Sequence, residues 1–75
     1  MADDDRDVTG TGDVTYDLVS VLYHSLQGAE TYEIFVADAE EAGDQELAQF
    51  FNDVMEEERR RADRAKALLA SRLNK

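Results

Sequence analysis

The sequence predicts an all-α fold: two long antiparallel helices joined by a tight turn, paired with a second copy into a four-helix bundle. Three observations lead there. Apolar residues recur every three to four positions through both halves of the chain. A single Gly-Asp pair interrupts them near the middle, and no alternating, strand-like stretch competes within the 75 residues. There is no Cys and no Pro, and 18 acidic side chains stand against 8 basic ones, for a net charge of -10. One small domain is all that fits this length. A core of that size rarely contributes more than roughly 3–5 kcal/mol unless disulfides, a metal or another chain complete it. The lack of Cys removes the first of these, together with thiolate zinc sites and cysteine nucleophiles.

Residues 1–12 open the chain with Asp3, Asp4, Asp5 and Asp7 and then Thr9-Gly10-Thr11-Gly12. With almost nothing to bury, this reads as a disordered acidic tail. The hairpin is expected over 13–75. Asp13 or Thr15 offers an N-cap, after which Leu18, Val19, Leu22, Leu26, Ala29, Val36 and Ala37 follow at helical spacing, which predicts a first helix over 13–42. Gly43 suits the left-handed position past a helix end, and Asp44 is placed to cap the next helix, with Glu46 in its first turn. The turn is therefore 43–44. A second helix over 45–73 carries Leu47, Phe51, Val54, Met55, Ala62, Ala65 and Leu69 on one face, with Arg72 near its end where the helix dipole favours a cation.

Two helices alone leave half of each apolar face in water, so the expected partner is a second copy, giving a homodimeric bundle. The first helix also carries an offset seam of Val21, Ser25, Gly28, Tyr32 and Phe35, and the second adds Phe50 and Leu68 on a comparable flank. Apolar residues on several sides predict either a larger homo-oligomer or one broad bundle interface.

At about 100° per residue, Glu33 falls in the middle of the first helix's main stripe, Glu30 falls on its shoulder, and Glu58 lies between Met55 and Ala62. Counted outward from the turn, Glu30 and Glu58 fall at nearly the same level. Carboxylates gathered this way require positive charge or protons. Two sources are open. One is a divalent cation such as iron, manganese, magnesium or calcium, held by Glu30, Glu33 and Glu58 at a dimer axis. The other is Arg61, one turn beyond Glu58, whose guanidinium would bridge the carboxylates as a structural ion network. His24, the sole imidazole, projects away from these carboxylates, near Val21 and Gly28, and reads as a surface or interface histidine.

The segment from Tyr23 to Leu69 resembles a ferritin-like helical hairpin, similar to the short two-helix encapsulated ferritins that dimerise into a four-helix bundle. Ferritin-like di-iron proteins combine Glu ligands with a Glu-x-x-His motif. The corresponding stretch here is Glu56-Glu57-Glu58-Arg59-Arg60-Arg61-Ala62: Glu58 takes the Glu place, and Arg61 stands where the family has His. Arginine stays protonated and has no lone pair to give a metal. The resemblance implies a shared fold and an ancestry in iron handling, with Glu30 as the level-matched first-helix ligand and Glu33 second. Ferrous oxidation is the only enzymatic activity it suggests.

The remaining composition narrows function by exclusion. Net negative charge disfavours nucleic acid, whose phosphates attract the opposite sign. No apolar run approaches the roughly 18 residues of a membrane span. The opening residues have neither the basic nor the apolar region of a secretory signal, so a cytoplasmic location is expected. No hydrolase triad or glycine-rich phosphate loop is present. The leading expectation is a small, non-catalytic oligomeric protein with a structural Glu/Arg cluster. Metal binding and docking of a protein partner through the second seam or the acidic tail are the alternatives.

Overall fold

The structure, a computed structural model, describes residues 13–73. Among them the chain forms two α-helices, α1 (Val14–Glu41) and α2 (Gln45–Leu73), and no strand, packed along their lengths as a hairpin. The acidic stretch 1–12 lies outside the described residues.

Local chemistry accounts for each boundary. Asp13 caps α1: its Oδ1 accepts from the backbone N–H of Thr15 at 2.9 Å and of Tyr16 at 3.4 Å, satisfying donors that the first turn leaves without helical partners. At the other end the N–H of Gly43 donates to the Glu40 carbonyl and that of Asp44 to the Ala39 carbonyl, both at 3.0 Å. This doubly bonded ending needs a left-handed residue after the cap, and Gly43 supplies it with φ +75°. Asp44 then caps α2, its Oδ1 accepting from the Leu47 N–H at 3.0 Å. One aspartate thus closes one helix with its N–H and opens the next with its side chain. Gly43→Ala is expected to destabilise the hairpin by about 1 kcal/mol, since a Cβ penalises the left-handed backbone. Denaturant titration measures this, and an unchanged midpoint would mean that the turn relaxes.

The two helices meet along heptad seams. In α1 the seam is Thr15, Leu18, Leu22, Ser25, Ala29, Tyr32, Val36 and Ala39; in α2 it is Ala48, Phe51, Met55, Glu58, Ala62, Ala65 and Leu69. Each is spaced alternately by three and four residues, and none of its members is exposed. That spacing keeps both seams facing each other when the helices coil gently left-handed. Every fully buried residue is a seam residue: Ser25, Ala29, Ala39, Ala48, Met55, Ala62 and Ala65. All but Met55 are small. Small residues bring helix axes toward the close end of the usual range of about 8–10 Å. They also bury little apolar area. No large side chain in the described chain is completely enclosed.

The hydropathy stripe of the first helix coincides with this seam in part: Leu18, Leu22, Ala29 and Val36 lie on both. Val19 and Leu26, expected on the inward stripe, are exposed, whereas Ser25, Tyr32 and Ala39 face α2. The physical reason is steric: α1 has apolar residues on several sides, and close packing selects the side with small side chains.

Candidate functional site

At mid-length a side chain of α2 meets α1 where α1 has no side chain of its own. A Cβ built on Gly28 would lie 3.4 Å from the Cδ of Glu58, so the Glu58 side chain rests on the Gly28 backbone. Its level match is therefore Gly28, two residues before Glu30. The Glu58 side chain is 20% exposed and forms an ion pair with Arg61, whose Nη1 donates to Oε1 at 2.6 Å. A half-buried carboxylate in an apolar seam is costly unless hydrogen-bonded to a cation, and Arg61, one turn on, provides that contact.

Glu30 is exposed. The Glu33 side chain is 67% exposed, and its nearest cation is Arg59 at 3.9 Å. Arg59 holds Glu56 more closely, at 2.9 Å. The basic run thus pairs at three-residue spacing, Glu56 with Arg59 and Glu58 with Arg61. A single hairpin does not gather Glu30, Glu33 and Glu58. Among the described residues no cluster of three His or carboxylate groups is arranged to hold a metal ion. Bringing these glutamates together requires a second chain.

His24 is exposed and lies beside Val21, as expected of a surface histidine, but it is not remote from Glu58. It lines an open cleft of about 310 Å³ together with Ser20, Val21, Ser25, Glu58 and Arg61. It shares a face with Glu58 instead of pointing away. Its Nδ1 lies 2.8 Å from the Ser20 carbonyl, which can only accept, so Nδ1 is assigned the proton and donates it to that carbonyl. Tyr23 stacks edge-on against it at 5.3 Å. The signal that places His24 here is its four-residue step from Ser20 and its position one residue before the buried Ser25, which puts it on the seam's flank.

No family model, curated protein or solved structure matches this chain.

The cleft's chemistry is that of a satisfied ion pair beside an imidazole. No buried side-chain nitrogen or oxygen among the described residues lacks a hydrogen-bond partner. A structural role for Glu58 carries a consequence. Glu58→Leu continues the apolar seam without leaving a buried charge, because Arg61 is itself half-exposed. It is expected to hold stability constant or raise it by up to about 1 kcal/mol. Thermal unfolding measures this, and a substantial loss would show that the pair makes a net contribution. None of the described helices is long and apolar enough to cross a membrane.

Proposed function

We propose that this chain is a non-catalytic, self-associating helical module of ferritin-like descent, active as a homodimeric four-helix bundle in which Glu58 and Arg61 form a structural ion pair. The observation that carries this reading is the 2.6 Å contact between Glu58 and Arg61. In the family pattern that the sequence resembles, a histidine would occupy the position of Arg61 and hold a metal; a guanidinium holds the carboxylate instead. Self-association is supported by the small size of the buried residues, which leaves the hairpin's larger apolar side chains in water.

The competing reading is a divalent metal, iron above all, bound at a dimer axis by Glu58 with Glu30 and Glu33. One experiment separates the two. Purified protein and Glu58→Ala are loaded anaerobically with ferrous ion, desalted and measured for iron, with mass determined by light scattering. A dimer or larger species retaining no iron in either form is expected. About two irons per dimer in the wild type, lost in Glu58→Ala, would overturn the structural reading and establish a metal centre.

A further inference from the structure

We infer that a second copy of the chain docks head to tail on one particular face of the hairpin, the face carrying Val21 and Phe35 of α1 with Phe50, Val54 and Leu68 of α2. The inference rests on the homodimer reading above and adds to it the face and the orientation.

The two sides of the hairpin differ in composition. In an antiparallel pair, residues one step before the seam on both helices share one side, and residues one step after it share the other. On the first side both helices contribute apolar groups. Phe35 packs edge-on against Phe51 with ring centroids 5.5 Å apart, and Phe50 lies 5.8 Å from Phe51. Val21, Phe35, Phe50 and Leu68 are all more than a third exposed, Phe50 by 58%. On the opposite side α1 presents Val19, Tyr23 and Leu26, but α2 answers with Gln49, Asn52 and Arg59, all exposed except the half-buried Asn52. Only the first side carries large apolar groups on both helices, at its two ends, with His24, Glu58 and Arg61 between them. It measures roughly 30 Å by 20 Å at helical dimensions, comparable with the roughly 800 Å² that each partner contributes to a stable interface.

Charge identifies the occupant and its direction. Residues 28–58, the turn half of the hairpin, hold eleven acids and no base; residues 59–73 hold six bases and Asp63 alone as an acid. Two copies placed with their turns together would set acidic half against acidic half. Reversal sets each acidic half against the other's far half, where residues 13–27 and 59–73 together hold six bases against Asp13, Asp17 and Asp63. The apolar groups obey the same symmetry. Phe35 and Val21 lie seven residues to either side of Gly28, about 10 Å along the axis in each direction. A two-fold axis at the level of Gly28 and Glu58 therefore lays the Phe35 and Phe50 cluster of one copy on Val21 and Leu68 of the other. Gly28, with the Glu58 side chain over it, faces its own counterpart. A partner complementary to both ends of this surface is the surface itself, reversed.

The test uses the full chain in two arms. Light scattering across a dilution series compares wild type with Phe50→Glu, Leu68→Glu and Ile34→Glu, the last placed on the outer side of α1, with circular dichroism confirming helicity. Phe50→Glu and Leu68→Glu are expected to weaken the dimer about 30-fold or more, and Ile34→Glu to leave it intact. In the second arm Glu41→Cys, unique in a chain without cysteine, carries a nitroxide for pulsed dipolar distance measurement. Head-to-tail docking puts the two labels about 40 Å apart along the axis. A dimer with labels near 20 Å overturns the orientation. A dimer that survives Phe50→Glu and Leu68→Glu but is lost in Ile34→Glu overturns the face and leaves the homodimer reading standing. A monomeric wild type overturns the homodimer reading and this inference with it.

Discussion

Ala62→Leu is expected to remove most of the hairpin's stability, about 2–3 kcal/mol, out of the roughly 3–5 kcal/mol that a core of this size contributes. Ala62 is 1% exposed, the most enclosed of the described residues, and sits between Glu58 and Ala65 on the α2 seam. So enclosed a position leaves no void for a leucine to fill. The axes would have to separate, and separation loosens every contact of Ala29, Ala48 and Ala65 at once. Urea unfolding followed by circular dichroism reads the effect. Ala67→Leu, at an exposed position on the same helix, is the control and should change stability by less than about 0.5 kcal/mol. Equal effects at the two positions would mean that the interface is plastic and that small residues are not what sets the spacing.

Met55→Ala is the second large effect, expected to cost about 2–5 kcal/mol. Met55 is the one sizeable side chain among the buried residues. Truncating it opens a gap on the seam between Phe51 and Glu58, whereas Met55→Leu, close in volume, should cost less than about 1.5 kcal/mol. Both unfolding curves are best recorded at several protein concentrations, because self-association adds a concentration-dependent term to the midpoint. A loss below about 1 kcal/mol for Met55→Ala would show that the helices collapse onto the gap.

These two positions also mark what the sequence reveals and what it conceals. The hairpin is legible because its signals are local. Asp13, Gly43 and Asp44 act through their own backbone neighbours, and the hydrogen bonds they make follow from residue type alone. The α2 seam is legible from Phe51 to Leu69, since a polar outer face leaves one stripe to bury, although Leu47 at the head of that stripe is exposed. The rotation of α1 is not legible. With Val19, Leu26, Ile34 and Phe35 distributed around it, hydropathy supports several inward faces, and the choice falls to the packing of Ser25, Gly28 and Ala29 against α2. The candidate site inherits that ambiguity. Glu58 and Arg61 are read correctly as neighbours because both lie on the well-defined helix. Glu30 and Glu33 lie on the other helix, and a rotation of a fraction of a turn carries them outward and brings His24 toward Glu58. The partner of Glu58 in the first helix is a glycine, a residue that leaves no mark in a hydropathy pattern.

The unbroken seven-residue repeat of the two seams gives the hairpin a modular length. Because three-and-four spacing runs without a stutter from Thr15 to Ala39 and from Ala48 to Leu69, deleting seven residues from each arm at matching levels returns every remaining seam residue to an equivalent neighbour. Adding seven does the same. Each such step changes the rod by about 10 Å without altering the turn or the coiling, whereas a step of five or six in one arm turns its seam out of register. The chain is thereby built in units, and its length is a quantity that can change in increments while its fold stays fixed.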